Sequence, residues 1–388
     1  MLRFIEETWS SEKLGNLCKI TMGQSPSSKN YSKNSNDTIL IQGNADLISG
    51  KIVPRIYTSE ITKLSYPGDI ILTVRAPVGD LAINEFDSCI GRGVCSIKGN
   101  KFIYYYLESL KDKHVWERLS QGSTFESVNS NDIKNLNLKI PSNSTQNHII
   151  NFFTAIDTKI ELLQKKHGEY IRFKQYLMQN IFADKSAEKL RFDFKDTWDK
   201  VLLKDVAFIP KKTKLTNVEG LKLLTVKLHT KGIEINDRIK PKLTKRGRPY
   251  YIRRSGELLI GRQNFHNGGM GIVPKSLDGG ICSNAISSFN VFEDKIDVNY
   301  LYYFLARPEY YIKSERLIGG TGQKEFSEKE LLKLKIDLPS LEEQNKIVDF
   351  LLNIDHKIEL SENQLNKTQE FKKGLLQQMF DNMLLFKL

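Results

Sequence analysis

The 388-residue sequence is poor in cysteine, and the four it has (Cys18, Cys89, Cys95 and Cys282) form no CxxC pair. That spacing offers neither a zinc site nor a disulfide framework, so reduced thiols are expected. No apolar run reaches the length of a membrane span. The first nine residues carry three charges in place of a signal peptide's apolar stretch, so a cytoplasmic protein that engages no membrane is expected. Several chemistries are also missing. There is no GxxxxGK[ST] loop for nucleotide hydrolysis, no HExxH, no Cys/His cluster for zinc, and no Asn-Pro-Pro-Tyr-like tetrapeptide of an amino-methyltransferase. Gly319, Gly320 and Gly322 lie close together, but they precede a strand and lack the βαβ setting of a dinucleotide site. No catalytic or metal-ligating residue is therefore assigned. Acidic side chains are also in deficit: 46 face 58 basic ones, leaving a net charge of +12. This excess points to a polyanionic partner, nucleic acid first, with a generally lysine-rich composition as the plain alternative.

What the sequence does have is one stretch twice. Residues 141–182 recur at 339–380 with a constant shift of 198 positions and no gap. Identities include Pro141/Pro339, Gln146/Gln344, Ile149/Ile347, Ile156/Ile354, Asp157/Asp355, Leu162/Leu360, Phe173/Phe371, Lys174/Lys372 and Phe182/Phe380. Both copies read as long helices without internal proline. Ile149, Phe153, Ile156, Ile160, Leu163, His167, Tyr170, Lys174, Leu177 and Ile181 follow one another in steps of four and three. So do Ile347, Leu351, Ile354, Ile358, Ser361, Leu365, Thr368, Lys372, Leu375 and Met379. This is a heptad seam, whose period keeps one stripe against a partner helix. The seam is polar in its middle and lower part, which suits a specified register more than maximum stability. At about 1.5 Å per residue, a 35-residue helix spans roughly 50 Å. The expectation is two helices lying antiparallel and holding two domains a fixed distance apart.

The segments upstream of the two helices also resemble each other. Each opens on Thr-Trp, at Thr8-Trp9 and Thr197-Trp198. Each then has a glycine turn, an acidic residue and an apolar strand: Gly68-Asp69-Ile70-Ile71-Leu72 and Gly256-Glu257-Leu258-Leu259-Ile260. Short strands over 78–83 and 268–273, aromatic helices over 102–110 and 299–306, a small-residue loop and a strand ending in proline complete each half. The order is domain, helix, domain, helix, with boundaries at 1–140, 141–183, 184–338 and 339–388, and 183–196 as the linker between halves. The fold class is α+β, with two similar mixed α/β domains and two long helices.

The halves agree where a framework is expected and differ where a surface is expected. The first carries a Ser/Asn-rich insertion, 23–38, read as a long loop. The second carries a basic one: 238–254 holds eight Lys or Arg and no Asp or Glu, with Tyr250 and Tyr251 among them. Arginine and lysine interleaved with tyrosine suit phosphate neutralisation plus contact with bases, although a charge run is most often a solvated face. Candidate DNA-contacting residues are Gln42, Asn44, Arg75, Arg92, Gln121 and Ser123 in the first half. In the second they are Lys227, His229, Arg246, Arg248, Tyr250, Arg262, Gln263, Asn264, His266, Gln323 and Lys324. Arg75 and Arg262 follow equivalent strands. Asp157-Thr158-Lys159 and Asp355-His356-Lys357 share half of a nuclease's Asp…Glu-x-Lys signature. They lie on the long helices, where salt bridges or contact with another subunit fit better.

A strand, a proline, then (Glu/Thr)-Gln-x-x-Ile-(Ile/Val)-x-Phe-(Leu/Phe)-x-x-Ile-Asp-x-Lys-Ile, twice, resembles the specificity subunit of type I restriction–modification systems. It stands here as Pro339-Ser340-Leu341-Glu342-Glu343-Gln344 through Ile358, and less fully from Pro141 to Ile160, where Ser142-Asn143-Ser144-Thr145 replaces the usual acidic residues. The resemblance covers essentially the whole chain. It implies that each domain is a target recognition domain reading one half of a bipartite site on double-stranded DNA. It implies that the paired helices set the gap between halves and dock two modification (methyltransferase) subunits. Restriction (translocase and nuclease) subunits then join through the methyltransferase core. AdoMet belongs to the modification subunits, ATP and Mg²⁺ to the restriction subunits, and the chain itself binds no cofactor and catalyses nothing. The alternatives are an orphan two-domain DNA-binding protein and a self-contained nuclease or methyltransferase. Exposed apolar helix residues are expected at Phe152, Phe350 and Leu360.

Overall fold

The computed structural model of the chain describes residues 8–112, 114–120, 127–183, 190–244, 247–314 and 325–381. Two compact units emerge: Met1–Lys166 with Ser361–Leu388, and His167–Leu360. Compactness thus cuts through both long helices, so each unit holds one mixed α/β domain and a portion of each helix.

In the first unit a six-stranded sheet runs in the order Lys19–Met22, Val94–Lys98, Ile70–Thr73, Leu81–Ile83, Lys51–Ile52, Leu47–Ile48. Its central strand is the apolar run that follows Gly68. Strand side chains alternate between faces, and here both faces are covered. Ile70 and Leu72 enter a core with the aromatic helix Lys101–Asp112, while Ile71 packs with Ile41, Ile52, Ala82, Ile90 and Val94. Each such fully buried side chain stabilises the fold by about 1.5–3 kcal/mol. The second unit repeats the plan in a four-stranded sheet: Ala207–Phe208, Ile286–Val291, Leu258–Gly261, Met270–Ile272. Leu258 and Ile260 face the core of the helix Val298–Leu305, and Leu259 faces Leu224, Val273 and Cys282. Gly68 and Gly256 have φ of 92° and 88°, which other residues adopt only under strain. The acid after each glycine is buried and bonded across the sheet: Asp69 accepts from Ser96 Oγ at 2.8 Å and Glu257 from Ser288 Oγ at 2.6 Å.

The long helices are Asn143–Ile181 and Leu341–Asp381. All twenty seam positions named above are buried or half-buried. The helix starts are built alike. Ser142 Oγ and Ser340 Oγ each accept from the backbone N–H three residues on, at 3.3 Å. Gln146 Nε2 donates to the Pro141 carbonyl at 3.1 Å and Gln344 Nε2 to that of Pro339 at 3.0 Å. Their Oε1 atoms accept from Asn100 Nδ2 and from the Asp297 N–H, both at 2.9 Å, tying each helix to its domain.

Helix direction follows from the aromatic helices. From Asn100 to Tyr105, partners on the first long helix rise from Gln146 to Asp157, while those on the second fall from Phe380 to Lys372. From Asp297 to Tyr303 they rise from Gln344 to Asp355 on the second, and from Tyr300 to Tyr303 they fall from Phe182, just past the end of the first, to Lys174 within it. Within each unit the helix portions therefore run antiparallel.

Two expectations need correction, and the linker makes contacts its composition does not show. The insertion 23–38 is not a plain loop: Tyr31–Ser32 pairs with Tyr57–Thr58 at the edge of a second, five-stranded sheet. The described part of the linker, 190–196, is fastened to the fold. Arg191 Nε and Nη2 donate to Glu343 at 2.6 and 2.9 Å, and the Phe192 ring lies 5.3 Å from that of Phe350. Phe152 and Phe350 are half-buried because each packs on its unit's core. Leu360 is exposed, as expected, and so are Leu162, Phe173 and Phe371. All four cysteines are free and buried, and burial pushes the Cys18 and Cys282 thiols up to about 11 and that of Cys95 up to about 12. No described helix is long and apolar enough to cross a membrane.

Candidate nucleic-acid interface

Four candidates of the first domain come together at one edge. Gln42 follows the strand Thr38–Ile41, and Asn44 opens the turn Asn44–Asp46. Buried Asp46 shapes that turn by accepting from the N–H groups of Gln42 and Gly43 at 2.8 and 3.2 Å. The loop bearing Arg92 lies against it: Gly91 N–H donates to the Ile41 carbonyl at 2.8 Å. A Cβ on Gly93 would stand 2.0 Å from the Gln42 carbonyl oxygen, so only glycine permits this approach. Val74 N–H donates to the Gly93 carbonyl at 2.9 Å, which brings Arg75 alongside. Arg75 and Arg92 are exposed, and Asn44 Nδ2 donates to Asp80 at 3.1 Å.

The second domain gathers its candidates around the end of Leu258–Gly261. Arg262 N–H donates to the Ala285 carbonyl at 3.1 Å, and Asn284 N–H donates to that of Pro249, between Arg248 and Tyr250. His229 and Thr230, both at positive φ, donate from their N–H groups to the carbonyls of Asn267 and Gly268, which places His229 beside the turn Phe265–Asn267 that carries His266. Asn264 is exposed at the start of that turn. Lys227 is instead occupied by Glu234, at 2.8 Å. Gln121, Ser123, Arg246, Gln323 and Lys324 lie outside the described residues.

The basic stretch is not uniformly a surface. Arg253 is buried, donates to the Ile286 carbonyl at 3.0 Å and lies near the Tyr251 ring, so it serves the core. Arg238, Lys240, Lys242, Arg248 and Arg254 are exposed.

Buried side-chain nitrogens and oxygens without a partner are costly and call for an explanation. Among the described residues these include Gln42 Nε2, Arg262 Nε, His266 Nδ1 and Asn284 Oδ1. Three of these four residues are among the sequence's candidates. Glu325 is not. It takes Arg262 Nη2 at 2.5 Å and Gln263 Nε2 at 3.3 Å, occupying donors that suit a phosphate or a base edge. Asn284 and Asp80 were missed as well. No periodicity marks such residues; only their nearness to basic loops does. Asp157 and Asp355, which carried the partial nuclease signature, accept from Tyr105 and Tyr303 and pair with Lys372 and Lys174.

The family model described as "Type I restriction modification DNA specificity domain" matches residues 6–169 and 195–370. A putative type I restriction enzyme MjaX specificity subunit of Methanocaldococcus jannaschii is 36% identical over 191 residues, 47% of this chain and 44% of that protein. The MjaVIII specificity subunit of the same organism is 24% identical over 298 residues, 72% of this chain and 69% of that one. The first of these alignments thus spans under half of the relative's length. Among solved structures, the S subunit of a type I restriction–modification system from M. genitalium shares the fold, with a TM-score of 0.64 at 16% identity over 97% of both chains. A structure described as the basis of complex assembly and conformational transition of a type I R-M system gives 0.56 at 18% identity over 98% of this chain and 99% of that one. With the family model matched in two stretches that follow the internal repeat, the chain belongs to the type I restriction–modification DNA specificity family.

Proposed function

We propose that the chain is the DNA-recognition subunit of a type I restriction–modification complex, with each domain reading one half of an asymmetric bipartite target. The observation that carries this is the pairing of one framework, built twice, with two different loop sets. Gln42, Asn44, Arg75 and Arg92 gather on one. His229, Arg248, Tyr250, Arg262, Gln263, Asn264 and His266 gather on the other. Different donor sets at equivalent edges imply different half-sites. The exposed side chains of Asn44, Arg75 and Arg92 on one edge, and of His229, Arg248 and Asn264 on the other, support phosphate and base-edge contact there.

The helices support the partner reading. Leu162 and its repeat equivalent Leu360 are 62% and 47% exposed, and Phe173 and Phe371 are 42% and 58% exposed. Apolar side chains kept identical in two diverged copies, yet left in solvent, suit two equivalent docking sites for two copies of one partner. In this reading those partners are the modification subunits, which bring AdoMet. Restriction subunits bring ATP and Mg²⁺, and join through the methyltransferase core. This chain selects the target in the cytoplasm and performs no bond-breaking step itself.

The test is methylation mapping of DNA exposed to the chain assembled with its modification subunit. One methylated motif of two short, different halves around a constant gap is expected. A complex that binds AdoMet and methylates without a bipartite motif would contradict the reading.

A further inference from the structure

Tyr105, Asp157 and Lys372 form a cluster in the first unit, and Tyr303, Asp355 and Lys174 form one in the second. All three members are repeat equivalents at the 198-position shift. The geometry matches atom for atom. Tyr105 Oη donates to Asp157 Oδ2 and Tyr303 Oη to Asp355 Oδ2, both at 2.7 Å. Lys372 Nζ meets Asp157 Oδ1 at 2.8 Å, and Lys174 Nζ meets Asp355 Oδ1 at 2.5 Å. The lysines lie 5.4 and 5.3 Å from the Tyr105 and Tyr303 ring centroids. The neighbours have diverged: Glu108, which also binds Lys372 at 2.8 and 2.9 Å, is matched by Ala306, and Thr154 by Leu352.

Each cluster joins three elements. The tyrosine comes from the domain's aromatic helix, the aspartate from one long helix and the lysine from the other. Both lysines occupy seam positions, where an apolar residue gives more stability and a polar one specifies register. An apolar heptad seam alone tolerates a slip of seven residues, because its pattern repeats. The clusters do not. Slipped one heptad one way, Lys372 meets Ile150 and Lys174 meets Val348; the other way, they meet Gln164 and Glu362, and the tyrosines lose the lysines in both cases. Such a slip advances one helix along the other by roughly 10 Å, the rise of about three base pairs. Burial pushes both phenols up, so each remains a donor at neutral pH.

We propose that these two Tyr–Asp–Lys clusters are positioning residues that set how many base pairs the complex accepts between its half-sites. The inference rests on the function proposed above and adds to it the residues that hold the helix register.

The test uses the chain assembled with its modification subunit and a DNA library in which the gap between the two mapped half-sites varies one base pair at a time. The unaltered complex is expected to methylate one gap length. The double variant Lys174→Met/Lys372→Met is expected to lower the preference for that gap over its neighbours at least tenfold. In the second unit, Asp355→Lys/Lys174→Asp is expected to keep the single gap, while Lys174→Asp alone broadens it. If the lysine variants do not fold, Tyr105→Phe/Tyr303→Phe, which keeps both rings, is scored the same way. Failure of the unaltered complex to show any bipartite motif overturns the functional reading. An unaltered complex with one gap, and cluster variants that lose rate equally at every gap length, overturns this inference and leaves the clusters as general supports.

Discussion

Removing Arg191 should destabilise the second unit far more than a surface ion pair warrants. Glu343, in the first turn of Leu341–Asp381, is only 1% exposed. Its carboxylate accepts from Arg191 Nε at 2.6 Å, Arg191 Nη2 at 2.9 Å and Trp198 Nε1 at 3.0 Å, with the Arg191 guanidinium 5.4 Å from the Trp198 ring. Exposed pairs give about 0–1 kcal/mol. A buried pair that loses one partner strands a charge and costs about 3–5 kcal/mol. Arg191→Met keeps most of the side-chain volume and removes the charge, so a loss of about 3–5 kcal/mol is expected. Glu343→Leu alone strands the guanidinium, which also donates to the Asp196 carbonyl, and should cost a comparable amount. The double variant removes both charges from a site lined by Trp198, and should recover most of the loss. The assay is urea unfolding of the full chain followed by Trp198 fluorescence, with Trp9 and Trp116 changed to Phe in every variant. A loss below about 1 kcal/mol for Arg191→Met, or a double variant as poor as the two single losses combined, refutes the reasoning. The first repeat has Thr145 at the equivalent position, so no matching sensitivity is expected there.

Phe153, fully buried between the first domain and the helix portions, should cost about 3–5 kcal/mol as Phe153→Ala in urea unfolding, and half-buried Phe152→Ala clearly less. Burial alone would raise the Glu328 carboxyl, but bonds from Lys212 Nζ and Ser287 Oγ hold it below its usual range. Its stabilisation is therefore present above the ordinary carboxylate value of about 4.3 and is lost as pH falls through the lower folded value. The melting-temperature gap between the unaltered chain and Lys212→Met should accordingly shrink below about pH 4. If two modification subunits dock as proposed, Leu162→Asp or Leu360→Asp alone should remove one of them and both together should remove both, read as complex mass by sedimentation.

The long helices were legible because two signals agreed, the gap-free repeat and the seam, and the identities prove to be structural. Gln146 and Gln344 hold the preceding proline carbonyls, and Asp157 and Asp355 hold the lysines of the opposite helix. The central strands were legible from continuous apolar runs bounded by Gly68 and Gly256. The five-stranded sheet of the first domain was not, since strands as short as Tyr31–Ser32 and Tyr57–Thr58 carry too few residues for a period. A charge run does not say which member turns inward, so Arg253 looked like its exposed neighbours. Glu325, which holds donors of Arg262 and Gln263, is set by tertiary contact that no local pattern encodes.

The central claim is that each domain reads its own half of the target. Its most direct test is to replace residues 1–140 with the corresponding domain of another family member, assemble the hybrid with the modification subunit, and map its methylation. The account predicts that one half-site changes while the other half and the gap stay as they were. A hybrid that alters both halves, or neither, contradicts it.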